Sequence, residues 1–169
     1  VLGDESWFAR PGARDVRAVP AMGSPAQRRR AVAGVRRHGG RFATLIHPTV
    51  CIGTRVRVGE GCLMLPLTSL TTDIEVGDFV SLNPGCTIGH DARIGSFVNL
   101  SPGTRISGGV DIREGADLGA GAVVLPGLRV GRDAVVGAGA VVVRDVADGA
   151  TVPVVLNAVR HQVAGELVH

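Results

Sequence analysis

A period of six residues dominates the pattern of apolar positions along this chain. Steps of six from Ile46 to Val142 meet an aliphatic residue or methionine at all seventeen positions. A second row, from Thr44 to Ala140, stands two positions earlier and holds only small or apolar residues. Glycine often follows the aliphatic residue, and the next two positions are mostly polar. Helices repeat an apolar face every 3.6 residues and half-buried strands every 2, so neither explains this pattern.

A parallel β-helix built from hexapeptides has the required period. Each hexapeptide forms a short strand on one face of a triangular prism, with the aliphatic residue inside and the small residue near a corner. Glycine suits the turns, which need either a positive φ or a close approach of two backbones. Because three hexapeptides close a coil, the fold is predicted to be mainly β, with roughly five to six coils of about 18 residues.

The segments that flank the repeat are predicted to cap the solenoid, because open ends expose apolar surface and unpaired backbone. Residues 24–38 begin with Ser-Pro and are predicted to form a basic helix that ends at Gly39 and Gly40. Residues 15–22 and 41–46 are predicted strands. The domain prediction has three parts: a partial αβ segment at 1–43, the β-helix at 44–147, and a C-terminal strand and tail at 148–169.

Composition and charge narrow the function classes. Aromatic residues make up 3% of the chain and Gly is present 25 times, as expected for an interior too narrow for rings. All 18 basic residues are Arg, against 15 acidic residues. Nine of these Arg lie in residues 1–45, but no aromatic residues are interleaved with them and no nucleic-acid motif is present, which argues against nucleic-acid binding.

Cysteine usage and hydropathy predict a soluble, cytoplasmic protein. Cys51, Cys62 and Cys86 are odd in number, widely spaced and in apolar surroundings, which favours reduced core thiols over a disulfide framework. No apolar run approaches the roughly 18 residues of a membrane span, and the first residues lack the layout of a signal peptide.

His90 and the Asp91 that follows it are the strongest candidates for chemistry within the repeat. A lone outward histidine is most often a solvated surface residue, so the pair needs further support. His47 is interpreted as a residue of the turn that enters the first coil. A zinc site needs about three converging ligands, and the coils contain only His47 and His90, so no metal site is predicted.

The phrases ATLIHP, IGHDARIGSFVNLSPG, SGGVDI, LGAGAVVLPG and VGAGAVVVRDV resemble sugar O- and N-acyltransferases of the sialic acid O-acetyltransferase family. That family includes acetyltransferases of UDP-linked 4-amino sugars. The resemblance covers residues 16–146, and residues 1–43 resemble part of the family's N-terminal nucleotide-sugar-binding domain. It implies a left-handed β-helix, acetyl-CoA as acyl donor, and a homotrimer whose active sites and acetyl-CoA grooves lie between neighbouring β-helices.

The resemblance also implies roles for individual residues. His90 matches the general base, for which an imidazole pKa near working pH is suitable, and Asp91 matches the acid that orients it. Asn83 matches an asparagine that lines the acceptor site. Gly108, one coil beyond His90, is expected to stack beside it and to donate its N–H to the thioester carbonyl oxygen, which would stabilise an oxyanion.

Five further residues complete the candidate site. Ala120 and Ala138 match small positions along the pantetheine arm of acetyl-CoA. Asn99 stands where many members carry a second histidine near the acyl group. Phe79 and Phe97, which lie one coil apart and point outward, are a candidate wall of the intersubunit site or a trimer contact.

The leading hypothesis is therefore transfer of an acetyl group from acetyl-CoA to an amino or hydroxyl group of a nucleotide sugar or a related small molecule. Two alternatives stay open: a catalytically silent β-helix that acts as a scaffold or binding protein, and an acyltransferase for a specialised-metabolite intermediate. The sequence leaves the acceptor and the choice between N- and O-transfer open.

Overall fold

The chain winds into a parallel β-solenoid that follows a short N-terminal αβ segment. The structure is a computed structural model and describes residues 4–13 and 15–153. The N-terminal segment contains two 3-10 helices (Glu5–Ala9 and Pro11–Ala13), β1 (Arg17–Ala18), α1 (Pro25–Arg37) and β2 (Arg41–Phe42).

Three parallel sheets form the faces of the prism. Sheet I contains β3 (Leu45–Ile46), β6 (Leu63–Met64), β9 (Ser81–Leu82), β12 (Asn99–Leu100), β15 (Asp117–Leu118), β18 (Val135–Val136) and β20 (Thr151–Val152). Sheet II contains β4 (Cys51–Ile52), β7 (Ser69–Leu70), β10 (Thr87–Ile88), β13 (Arg105–Ile106), β16 (Val123–Val124) and β19 (Val141–Val142). Sheet III contains β5 (Arg57–Val58), β8 (Glu75–Val76), β11 (Arg93–Ile94), β14 (Asp111–Ile112) and β17 (Arg129–Val130).

Equivalent positions of successive coils stack directly above one another. Ile88, for example, pairs with Leu70 of the preceding coil and with Ile106 of the following coil. Beyond the first coil both predicted apolar rows are buried, apart from the half-buried Leu128: Leu82 and Leu100 of the aliphatic row are 0% exposed, as is Cys86 of the second row. The predicted parallel β-helix of hexapeptide repeats is therefore confirmed.

The corners of the prism explain the glycine pattern. We name each corner by the sheets that it joins, so that corner II/III, for example, follows sheet II. At corner II/III the positive φ, 58°, belongs to Asp91, three positions after the buried Ile88. Gly89 comes directly after Ile88, and a Cβ there would lie 2.5 Å from the backbone nitrogen of Gly108. Close backbone approach, rather than a positive φ, is therefore what requires glycine after the aliphatic residue.

Helix α1 confirms the predicted helix but lies in an unexpected place. The Ser24 side chain caps its first turn, and Gly39 follows its end with a φ of 76°. The helix runs along corner III/I, with Arg36 paired to Glu60 near one end and Arg29 Nη1 2.7 Å from Asp133 Oδ1 at the other. Its 13 residues span about 20 Å, which matches four coil spacings of about 4.8 Å.

Because the helix runs along the side, the open end of the prism at the first coil is not covered by it. Ile46 and Ile52, which point into the prism, are 43% and 40% exposed because they belong to that coil. The prediction that the N-terminal segment caps the solenoid is wrong, since the described part of the segment packs against the side.

Phe79 and Phe97 hold α1 against corner III/I. Their rings stack with centroids 5.1 Å apart, and Phe79 meets Phe42 edge-on at 4.9 Å. Phe79 is 1% exposed and belongs to a buried cluster with Val32 and Val35. The prediction that these two rings form a wall of the intersubunit site or a trimer contact is wrong for Phe79, which the chain's own helix buries, while Phe97 is half-buried against the same cluster.

The flanking strands are shorter than predicted. Only β1 forms within 15–22, and 41–46 divides into β2, which pairs with β1, and β3, which pairs with β6. At the other end, Val135 of β18 pairs with Thr151 of β20 rather than with Pro153, so the last coil is shorter than those before it. The predicted tail beyond Pro153 lies outside the described residues.

Candidate active site

His90 and Asp91 form a hydrogen-bonded pair on corner II/III. His90 Nδ1 lies 2.7 Å from Asp91 Oδ2, and the two side chains are 67% and 66% exposed. A carboxylate only accepts hydrogen bonds, so Nδ1 carries a proton, and in the neutral imidazole Nε2 keeps the lone pair. The αL conformation of Asp91, which aspartate tolerates better than most residues, directs its side chain back to the ring. The pair can therefore present a basic nitrogen to a ligand.

Gly108 lies against this imidazole, as its position one coil further along predicts. A Cβ on Gly108 would lie 2.6 Å from both Cε1 and Nε2 of His90, so only glycine leaves room for the ring. The next residue, Gly109, donates its N–H to the His90 carbonyl at 2.7 Å. Among the described residues none accepts a hydrogen bond from the Gly108 N–H. The residue that packs against the Nε2 edge of the ring thus also has a free N–H donor.

Asn83 and Asn99 meet each other on a different part of the prism. Asn83 follows β9 at corner I/II, and Asn99 points outward from β12. Asn83 Nδ2 donates to Asn99 Oδ1 at 3.3 Å and to the Leu100 carbonyl at 2.8 Å. Asn99 Nδ2 in turn donates to Asp117 Oδ1 at 2.8 Å. Sequence analysis missed Asp117, although its place one coil beyond Asn99 in the repeat would have identified it.

Ala120 and Ala138 also lie at corner I/II. They occupy equivalent positions of adjacent coils, both are exposed, and the Gly139 N–H donates to the Ala120 carbonyl at 2.8 Å. The predicted site residues therefore form two groups: His90, Asp91 and Gly108 on one corner, and Asn83, Ala120 and Ala138 at the other, with Asn99 on the strand beside it. These two corners are the edges of sheet II.

The outer faces of the sheets differ in charge. Sheet III carries an alternating row whose members pair across neighbouring strands: Arg57, Glu75, Arg93, Asp111 and Arg129. Sheet II carries an outer row with a single charge: Cys51, Ser69, Thr87, Arg105, Val123 and Val141. On corner II/III, one coil before Asp91, the Arg55 guanidinium donates to Asp73 and lowers the pKa of that carboxyl.

The described residues hold no metal-binding group and no membrane-spanning helix. Within 4–13 and 15–153, no group of three or more His, Cys, Asp or Glu side chains is placed to bind a metal ion. His47 lies in the entry turn, as predicted, with Nδ1 2.9 Å from Thr49 Oγ1. No helix in the described part of the chain has the length and apolar character to cross a membrane.

Comparison with solved structures adds independent information about this arrangement. PerB from Caulobacter crescentus, solved with CoA and GDP-perosamine, is 37% identical, with a TM-score of 0.77 over 80% of this chain and 65% of PerB. The acetyltransferase domain of PglB from Neisseria gonorrhoeae, solved with acetyl coenzyme A, is 31% identical, with a TM-score of 0.73 over 79% of this chain and 65% of that domain. The predicted resemblance to hexapeptide-repeat sugar acyltransferases is confirmed.

WeeI from Acinetobacter baumannii is a further similar structure, at 32% identity, with a TM-score of 0.76 over 78% of this chain and 64% of WeeI. The chain thus spans slightly less than two thirds of the length of these neighbours. No protein-family model and no curated protein sequence matches the chain.

Proposed function

We propose that this protein transfers the acetyl group of acetyl-CoA to the amino group of a nucleotide-linked sugar. The observation that carries the proposal is the His90–Asp91 pair packed against Gly108, a residue whose N–H has no acceptor among the described residues. This geometry occurs in a chain that is 37% identical to a protein solved with CoA and GDP-perosamine.

The two free groups suit the two halves of an acyl transfer. His90 Nε2 removes a proton from the amine as its nitrogen attacks the thioester carbonyl carbon. Asp91 keeps the ring in the tautomer that leaves Nε2 basic and stabilises the imidazolium that forms. The Gly108 N–H donates to the carbonyl oxygen as that oxygen becomes negative. When the carbon–sulfur bond breaks, the imidazolium returns its proton to the thiolate of CoA.

The second group of residues supports an intersubunit site. Suppose that three prisms stand parallel with sheet II toward a common three-fold axis. Corner II/III of each chain then approaches corner I/II of its neighbour, because these corners are the two edges of sheet II. His90 and Gly108 of one chain would face Asn83, Ala120 and Ala138 of the next. The acceptor would contact Asn83, and the pantetheine arm would lie along the two small alanine side chains.

The outer faces favour sheet II over sheet III for this packing. Sheet III carries alternating charges on its outer face. In the outer row of sheet II, Arg105 is the single charged residue. Its last two outer residues, Val123 and Val141, are apolar, and Val141 is 50% exposed. Exposed apolar surface of this kind is typical of subunit contacts.

We place the reaction in the cytoplasm, in accord with the reduced thiols of the sequence.

A free-thiol assay tests the proposed reaction. Acetyl-CoA is mixed with UDP- and GDP-linked amino sugars, sialic acids and simple amines, and products are identified by mass. His90→Ala is expected to lower kcat/KM by about 10²- to 10⁴-fold. His47→Ala is the matched control and should keep wild-type activity, since His47 only bonds within its turn.

Two results would contradict the proposal. Near-normal turnover of His90→Ala would remove the assigned base. No thiol release with any acceptor, together with no rise in melting temperature on addition of acetyl-CoA, would favour the catalytically silent scaffold.

A further inference from the structure

We infer that Asp117 and Asn99 orient the Asn83 side chain so that only its carbonyl oxygen faces the molecule that receives the acetyl group. This orientation makes the site select an amine over a hydroxyl. This inference rests on the proposed function and concerns a choice that the sequence leaves open. The carrying observation is a continuous chain of hydrogen bonds, Asp117 to Asn99 to Asn83, on the outer face of sheet I.

Partners that can only accept hydrogen bonds fix the orientation of both amides. The Leu100 carbonyl accepts from Asn83 at 2.8 Å, so the nitrogen of that amide must point inward. The Asp117 carboxylate accepts from Asn99 at 2.8 Å, which turns Asn99 Oδ1 toward Asn83. Exchanging the oxygen and nitrogen of either amide would place an oxygen against an oxygen.

Asn99 is a rigid intermediate in this chain. It is 5% exposed, and its Nδ2 also reaches Ser101 Oγ at 3.4 Å. The backbone just before it is held by Arg28, whose Nη2 donates to the Phe97 and Val98 carbonyls at 2.8 and 3.0 Å. Side-chain rotation at Asn99 would break its bonds to Asn83, Ser101 and Asp117 at once, while Arg28 holds the backbone before it in place.

Asn83 Oδ1 is the atom of the Asn83 amide that these hydrogen bonds leave unused. Both hydrogens of Asn83 Nδ2 are donated to Asn99 and Leu100, and no described residue donates to Oδ1. Asn83 is half-buried, and its Oδ1 is not among the buried atoms without partners, so it is open to solvent or ligand. At corner I/II the Asn83 amide thus offers a ligand one fixed hydrogen-bond acceptor, Oδ1, and no hydrogen-bond donor.

The number of hydrogens on the nucleophile then decides which acceptor fits. A neutral primary amine has two hydrogens and one lone pair. It can donate one hydrogen to His90 Nε2 and the other to Asn83 Oδ1 while its lone pair attacks the thioester carbon. A hydroxyl has one hydrogen, which His90 must take. Its remaining lone pair would face Asn83 Oδ1, and sites built to accept a hydrogen bond discriminate strongly against ligands that cannot donate it.

The experiment compares two acceptors that differ at one atom. One is the amino sugar that the wild type acetylates best, and the other is its counterpart with a hydroxyl in place of the amine. The measured quantity is the ratio of kcat/KM for the amine to kcat/KM for the alcohol, and each variant is compared with the wild type so that intrinsic reactivity cancels.

Asn83→Ala is expected to lower this ratio about 10-fold, and Asp117→Asn about 3- to 10-fold, each mainly by lowering the amine value. Ser81→Ala is the matched control, because Ser81 is a buried polar residue that pairs with Asn99 in the same ladder yet is outside the hydrogen-bonded chain. Its ratio should equal that of the wild type. Melting temperatures report folding, and Asn83→Ala keeps the Asn99–Asp117 bond because Asn83 is the half-buried end of the hydrogen-bonded chain.

The outcomes separate the two proposals. Equal losses for amine and alcohol in Asn83→Ala and Asp117→Asn would overturn the selective role while leaving the acetyltransferase in place. A wild type that acetylates the alcohol as readily as the amine would overturn it as well. Absence of turnover with every acceptor would overturn the proposed function and this inference together.

Discussion

The imidazole of His90 occupies the space that a side chain on Gly108 would fill. A Cβ at Gly108 would lie 2.6 Å from His90 Nε2, well inside van der Waals contact. Any side chain there therefore moves the ring away from the Gly108 N–H. General-base catalysis depends on placing the proton acceptor within hydrogen-bond reach. Glycine at position 108 is therefore required to keep the His90 ring in its proposed catalytic position.

We expect Gly108→Ala to lower kcat by about 10²-fold, the loss typical when a reacting group is displaced by about 1 Å. The melting temperature should change little, because both residues lie on the surface of the corner and Gly108 has no positive φ. Steady-state kinetics and thermal unfolding measure the two effects. Gly12→Ala, where a Cβ would meet no atom within 4 Å, is the control. Wild-type kcat in Gly108→Ala would contradict the assigned contact.

The cysteines give a second prediction for single residues. Burial raises the pKa of Cys62 and of Cys86 to about 11, so both thiols stay protonated and unreactive near neutral pH. Cys51 is exposed, contrary to the prediction of three core thiols, because it points outward from the first coil. In a Cys51→Ser variant at pH 8, Ellman's reagent should find no thiol in the native protein and two after unfolding. Rapid labelling of the native variant would contradict the burial of the other two.

Among the elements, α1 is joined to the solenoid by one buried side chain, Arg28. Arg28 is 1% exposed, and burial lowers its pKa to about 10. Its guanidinium donates to two carbonyls of the solenoid and to the Met22 carbonyl, so it joins the helix to the coil that contains Asn99. The helix therefore supports the outer face of sheet I as well as covering the phenylalanines.

Removing this guanidinium should destabilise the protein. Arg28→Ala is expected to lower the free energy of unfolding by about 2 kcal/mol, because buried carbonyls lose their donor. Arg30→Ala, on the exposed side of the same helix, should change it by less than about 0.5 kcal/mol. Urea unfolding at pH 7 measures both values. Equal effects of the two substitutions would show that the contacts of Arg28 contribute nothing beyond a surface charge.

The hexapeptide period predicted which side chains point inward, but it did not predict what covers those that point outward. It placed Gly108 next to His90 because closure of each coil stacks equivalent positions of neighbouring coils. From the period alone, Phe79 and Phe97 are predicted to face outward without a cover. The packing of α1 against corner III/I depends on non-local contacts that have no period, so it could not be predicted this way. The burial of Asn99 and its bond to Asp117 escaped prediction for the same reason: both depend on how outward side chains of adjacent coils meet.

At the scale of the whole molecule, the two groups of site residues lie on different corners of one prism, and sheet II separates them. A site that needs both groups is completed only by a second chain. Two variants that damage different corners make this testable. His90→Ala removes the proposed base at corner II/III, and Ala138→Trp fills the proposed donor groove at corner I/II, so in the proposed homotrimer each variant alone should be inactive.

Mixed trimers of these two variants should recover activity. If the chains unfold and reassemble at random from equal amounts, half of the sites receive an intact His90 corner, and half of those receive an intact Ala138 corner. About one quarter of wild-type kcat should therefore return, as expected for a heterologous interface closed into a ring. The mass of the assembly, measured by light scattering, should be three times that of one chain. If each site were formed by one chain alone, every site would still contain one defect and mixing would restore nothing.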